Sequence, residues 1–336
     1  CMYDVDTWQQ LLRVQELAIG PREFPHSWVQ FAGLCSKKGL PALARQVLET
    51  LAGRELSPDL PLPLENPRVA FAYIKLLWSN APSIAEHKKA FGLLCGVRDS
   101  LITGQDNKLL SRLHMKAGEW RRTVALQESE TIDPSVMQEI VSSFHSAVNN
   151  DENKHKAIQS WALVNCDLVS LAESEAVNAP SEESRLDHIS RPLTVALNAL
   201  VRSIVLAKSE TMQDVLRFLG LVLKYGQIPQ VERIFAEAAI PGVSGSLPKI
   251  SIRVWLQVIP QLIARIHSNV PSITRLIISC LQLDESIRMH CCSLWLWQPN
   301  PSSKLVLVLL VSPWTRSEQH QSQGLLIKQC WLLMSW

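Results

Sequence analysis

The side chains best placed to do chemistry in this sequence are basic. Lys37-Lys38, Lys88-Lys89, Lys116, Arg121-Arg122, Lys154 and Lys156 fall at expected helix ends and turns. Stacked helical hairpins can gather such groups on one concave face, where they would hold a polyanion through charge-assisted hydrogen bonds. The competing reading is that they only keep a helical array soluble.

No catalytic constellation accompanies them. The sequence has no G-x-x-x-x-G-K-[ST] or G-x-G-x-x-G loop to cradle phosphates, and no H-R-D, D-F-G or D-R-H-x-x-N element. His145 and His155 are ten residues apart on separate expected helices and read as surface residues rather than a metal pair. Cys166 beside Asp167 lacks an activating histidine or basic cluster, so packing is its expected role. Ser181 and Ser184 flank Glu182-Glu183 and fit either a phosphorylation site or a plain acidic loop.

The elements that must position these groups are helical throughout. The chain has 336 residues, 47% hydrophobic and 19% charged, with a net charge of +2. That balance gives no reason to expect nucleic acid or a membrane surface as partner. Its eight cysteines are scattered, without a C-x-x-C pair, and read as reduced thiols of a cytosolic protein. The longest uninterrupted aliphatic run, Leu305 to Val311, is far short of the roughly 20 residues that span a bilayer. The chain opens on Cys1, already close to an amphipathic pattern, and reads as a piece of something longer.

Apolar spacing and capping residues predict helices from Asp6 to Ile19, from Ser27 to Gly39 and from Pro41 to Leu51. Further pairs follow from Asn66 and Ser83, then from Asp106 with a pause at Ala117-Gly118, then from Asp133 and Glu152. A stretch without apolar period, residues 173–190, is expected as a flexible insertion. Helices resume at Arg191-Pro192. Ile252 to Ile266 is expected as one nearly buried helix kinked at Pro260. The pattern predicts an all-α solenoid of TPR/HEAT-like hairpins, divided as 1–172, the insertion 173–190, 191–283, and a tail 284–336.

The wording of several segments resembles the FAT region of the target-of-rapamycin (TOR) branch of the phosphatidylinositol-3-kinase-related protein kinases. These are WLQVIPQLIARI at Trp255 to Ile266, the S-W-x-x-F-A-x-L-C-x-K-x-G hairpin at Ser27 to Gly39, and AYIKLLW at Ala72 to Trp78. Similar too are Lys116-Ala117-Gly118-Glu119-Trp120, the K-A-x-x-x-W-A pattern at Lys156 to Ala162, and D-V-L-R-F-L from Asp214. The resemblance implies a non-catalytic scaffold that clamps a kinase domain in cis, the parent being an ATP- and Mg-dependent serine/threonine kinase. It also implies a cytoplasmic location, with endomembranes and nucleus for the parent, and Raptor-like and other TOR-complex subunits as partners. An inositol hexakisphosphate pocket is implied as well, with Lys116 and Lys156 matching two of its lysines. Gln15 stands where the family has an arginine, and His267 where it has aspartate. The alternative is a free-standing TPR/HEAT adaptor.

The tail reads differently from the helices before it. Residues 284–336 hold five of the eleven tryptophans, no alanine and no sustained helical period. Back-translated from the third base of the Glu285 codon, they can read IHPNALLFPLAVATKS, similar to the family's continuation after its RLI helix. An out-of-frame reading is therefore expected from about residue 285.

Overall fold

The computed structural model describes residues 4–101, 106–152, 154–175, 182–207, 212–264 and 271–283. Every regular element among them is a helix. Those of the first compact unit, residues 1–221, are α1 (Val5–Glu16), α2 (Pro25–Lys37), α3 (Pro41–Ala52), α4 (Pro67–Ser79), α5 (Ile84–Ser100), α6 (Asn107–Glu128), α7 (Pro134–Asn150), α8 (His155–Glu175), α9 (Glu182–Leu206) and α10 (Met212–Lys224), the last crossing the boundary. The second unit adds α11 (Pro229–Ala239), α12 (Ile252–Leu256), α13 (Ile259–Ala264) and α14 (Pro271–Leu283).

Local chemistry sets most of the helix starts. The Asp4 carboxylate accepts from the Val5 N–H at 2.8 Å, Asp106 from the Leu109 N–H at 3.0 Å, and Asp133 from the Ser135 N–H at 2.8 Å. Each satisfies a donor that the first turn leaves free. Asn66 and Ser83 cap α4 and α5 in the same way. Proline opens α2, α3, α4, α7 and α11, where its missing N–H costs nothing. Gly53 closes α3 in the left-handed conformation, φ +69°.

From α1 to α9 each helix packs on the next, α2 also reaches α4 and α6 reaches α8, and α10 is tied to α9 by the Ser203–Asp214 hydrogen bond. Contact to the next helix and to the one beyond is the packing of a stacked helical array. Three apolar clusters follow one another along it. The first centres on Phe31, Leu48 and Tyr73, the second on Ile74, Leu94 and Leu113, and the third on Ile140, Phe144 and Ile158. Trp78 of α4 stacks on Trp120 of α6, ring centroids 4.2 Å apart and nearly parallel.

Four expectations need correction. Ser27 is not a cap: α2 starts two residues earlier at Pro25, and the residue before it, Phe24, makes no side-chain capping bond. Helix α6 does not pause at Ala117-Gly118 but runs unbroken through both. The glycine there serves close packing, since a β-carbon at 118 would meet the Phe144 ring of α7 at 2.9 Å. The expected insertion 173–190 is entered by helix from both sides, α8 ending at Glu175 and α9 starting at Glu182; residues 176–181 lie outside the described set. Pro192 accordingly falls inside α9 rather than at its start.

The fourth concerns Ile252 to Ile266. Instead of one kinked helix there are two short ones, α12 and α13, separated at Gln257-Val258. Pro260 occupies the second position of α13, within the first turn, where no N–H is needed and no preceding carbonyl of the same helix is crowded. Trp255 is fully buried and meets Phe235 of α11 edge-on at 5.8 Å. Glu232 of α11 accepts the Ser272 N–H at 3.0 Å and so caps α14. The tail from 284, with the frame change expected near 285, lies outside the described residues, as do Ser181 and His267.

Helix α9 contains a segment, His188–Leu206, long and apolar enough to cross a membrane by length and composition. Half of it is buried inside the protein, with Leu193, Leu197, Leu200 and Val201 fully enclosed. Core packing against α8 accounts for that apolarity.

Candidate functional site

The structure divides the basic residues into two groups. One group is neutralised pairwise between elements. Lys88 pairs with Glu128, Lys89 with Asp59 at 2.6 Å, Arg121 with Glu139 at 2.8 Å, and Arg122 with Asp167 at 2.8 Å. Arg68, at the second position of α4, forks onto the α6 cap Asp106 at 2.7 and 3.1 Å. These are half-exposed struts worth little individually.

The other group is drawn together with little to neutralise it. Arg112 and Lys116 are one turn apart on α6. Lys75 comes from α4, Lys37 from the end of α2, and Lys154 and Lys156 flank His155 at the start of α8. Burial pushes the Lys75 ammonium below the ordinary lysine range, and the charges of Lys116, Arg112 and Lys37 push it further. Its stem lies on α4 with the ammonium 4.8 Å from the Phe71 ring centroid. Lys154 is lowered for the same reasons, first by burial and then by Arg112, with Lys156 adding to it. Its Nζ is shielded from solvent and has no hydrogen-bond partner among the described residues. Lys116 pairs with Glu119 on its own helix.

Lys116 acts on Lys75 and Lys156 on Lys154, with Arg112 common to both, and two of these cations, Arg112 and Lys75, escaped the sequence reading. Arg112 could have been found from its i, i+4 spacing to Lys116. Lys75 carries a signal too, being a lone cation inside the apolar run AYIKLLW. Lys88, Lys89, Arg121 and Arg122 do not belong to the cluster. Gln15 lies half-buried near the end of α1, with no polar contact to this group among the described residues.

A second polar centre joins α8, α9 and α10. The Asp214 carboxylate, 1% exposed, accepts from Gln159 at 2.9 Å, Ser203 at 3.0 Å and Arg217 at 3.3 Å. Ser203 has a single hydroxyl proton and donates it to Asp214, so its oxygen accepts from His155 Nε2–H at 3.2 Å. In a nucleophilic triad the histidine takes the serine proton and the carboxylate holds the histidine. Here the carboxylate holds the serine, which is fully buried. The arrangement is a structural tie.

His145 leans on the Trp161 ring at 5.5 Å, and no group of three metal-ligating side chains occurs among the described residues. Burial, with Asp167 and Asp214 nearby, lifts the Cys166 thiol to about 11, which keeps it protonated at neutral pH.

The described residues form a stacked all-helical array that carries a cluster of basic side chains. The chain belongs to the FAT domain family, whose profile matches residues 1–220. It is 30% identical over 294 residues to serine/threonine-protein kinase tor1 of Schizosaccharomyces pombe, covering 81% of this chain and 12% of that protein. Serine/threonine-protein kinase mTor of Drosophila melanogaster is 31% identical over 286 residues, covering 79% and 11%. TOR2 of Saccharomyces cerevisiae is 28% identical over 330 residues, covering 84% and 13%. The chain thus spans about an eighth of the length of these relatives.

Proposed function

We propose that this chain is a FAT-region segment of a TOR-type serine/threonine kinase that scaffolds and clamps a kinase domain elsewhere in the same polypeptide. The observation that carries this reading is the FAT match over residues 1–220 together with the TOR relatives aligned over about four-fifths of the chain. Its hairpins act as TPR/HEAT-like units, and its setting is cytoplasmic growth signalling with Raptor-like subunits. ATP and Mg belong to the parent's kinase domain. Reading the transcript beyond the last codon tests this. A phosphotransferase domain in frame, or one frame away after correction near residue 285, is expected; no such domain leaves only a helical adaptor.

The basic cluster is assigned a polyanion, with inositol hexakisphosphate as the ligand. Lys116 and Lys156 form its rim, and Lys75, Arg112 and Lys154 extend it. A compact polyphosphate offers acceptor oxygens in several directions, which suits ammonium groups arriving from three helices. Titration of inositol hexakisphosphate into the purified chain should show binding that the Lys116→Glu, Lys156→Glu double variant loses; unchanged binding in that variant removes the assignment.

A further inference from the structure

Among the described residues, Lys116 is the member of the basic cluster that pairs with a carboxylate. Its Glu119 partner sits one turn further along α6, and each side chain is 29% exposed. The Glu119 charge also acts on the Lys154 ammonium, whose Nζ has no hydrogen-bond partner among the described residues. Asp151 is the other carboxylate that reaches Lys154, and it lies at the end of α7. Glu119 is thus paired with Lys116 on its own helix, and its charge is also felt at Lys154, just before α8. Among the described residues its side chain bonds only to Lys116 of α6 and so ties no two helices together. The inter-helix struts are Arg121–Glu139 and Arg122–Asp167, on neighbouring residues of the same helix.

An anion entering the cluster needs the ammonium that Glu119 holds. It must displace the carboxylate from Lys116 and then sit beside a negative charge in a half-buried setting, where such charges are weakly screened. We propose that Glu119 is a built-in counter-ion that sets the affinity of this cluster for polyphosphorylated small molecules by competing for Lys116. The proposal rests on the polyanion reading above. Without ligand, Glu119 limits the mutual repulsion of the lysines. With ligand bound, it is the group that opposes retention, so the occupied and empty states lie closer in free energy than the lysines alone would set.

The test compares the full chain with Glu119→Gln and, as a second replacement, Glu119→Ala. Glu139→Gln is the control, because Glu139 neutralises Arg121 outside the cluster. Inositol hexakisphosphate and tripolyphosphate are titrated calorimetrically at one fixed salt concentration, with circular dichroism confirming helical content. Removing one opposing charge should tighten binding by about tenfold in both Glu119 variants, while Glu139→Gln leaves it unchanged. A change confined to damage of the fold would weaken binding instead of strengthening it. If the unaltered chain binds and the Glu119 variants bind equally or more weakly, the counter-ion role is overturned and the polyanion site stands. If neither the chain nor any variant binds either probe, the polyanion reading fails and the role of Glu119 falls with it.

Discussion

Gly118 of α6 and Phe144 of α7 are packed so closely that a β-carbon on the glycine would stand 2.9 Å from the ring edge. The ring is itself enclosed, at 3% exposure, in the third apolar cluster. Two effects oppose each other in Gly118→Ala. Helix propensity favours alanine by about 1 kcal/mol, and overpacking a filled contact costs roughly 1–3 kcal/mol. Overpacking should win, giving a net loss of about 1 kcal/mol in urea unfolding. In a Phe144→Leu background the ring is gone, so the same glycine replacement should become stabilising. A glycine substitution that stabilises both backgrounds alike would show that the helices are not in contact here.

Asp214 ties three helices through one carboxylate. Removing it by Asp214→Ala takes the acceptor from the half-buried Gln159 amide and from the buried Ser203 hydroxyl, which keeps only His155, and leaves Arg217 without its partner. Such a loss costs roughly 3 kcal/mol. Ser203→Ala removes one donor while Gln159 still serves the carboxylate, and should cost about 1–2 kcal/mol. Denaturant unfolding of the two variants checks the ranking. Equal effects would mean that the serine, not the carboxylate, organises the centre.

The Cys166 thiol, lifted from an ordinary value of 9.0 to about 11, should be poorly nucleophilic in the folded chain. A thiol raised that far has a thiolate fraction at neutral pH about a hundredfold below that of an ordinary cysteine. Iodoacetamide at roughly neutral pH, followed by peptide mapping, should therefore label Cys166 at least that much more slowly in native than in unfolded protein. Comparable rates would show that the site opens readily or that burial is incomplete.

The helices are legible because their signals are local. Asp4, Asp106 and Asp133 bond to donors no more than three residues away, and proline at a first turn acts on its own backbone. Gly118 is illegible for the converse reason. In sequence it looks like a breaker, and only a partner 26 residues further on reveals that it makes room for a ring. Pro260 looks like a helix-interior proline because apolar spacing continues smoothly across two short helices, and spacing carries no mark of a restart. At the basic cluster, Lys116 and Lys156 stand out only through the family resemblance. Apart from Lys116, paired with Glu119 one turn away, which of these cations are neutralised depends on carboxylates 18 to 45 residues away, such as Glu139 for Arg121 and Asp167 for Arg122. No period in the sequence encodes that sorting.

Lys75 should trade stability against ligand binding. Its folded-state pKa is depressed, mainly by burial and then by Lys116, Arg112 and Lys37, so the native chain releases this proton more readily than the unfolded chain does. Between the depressed value and the ordinary 10.5 the unfolded state binds more protons, and stability therefore rises with pH through that window. Below it, at neutral pH, the charged ammonium is a standing cost. Lys75→Met keeps the apolar stem over Phe71 and removes the charge. After discounting for solvent screening, it should raise stability at neutral pH by roughly 0.5–1 kcal/mol, with the gain shrinking as pH climbs toward the lysine range. The same variant should bind inositol hexakisphosphate several-fold more weakly, because it removes a cation from the cluster. Thermal melting at about pH 7 and about pH 10, paired with calorimetric titration, measures both halves. A variant that is less stable at neutral pH would mean that Lys75 is held by a favourable partner, and the cluster would not then be a strained set of like charges.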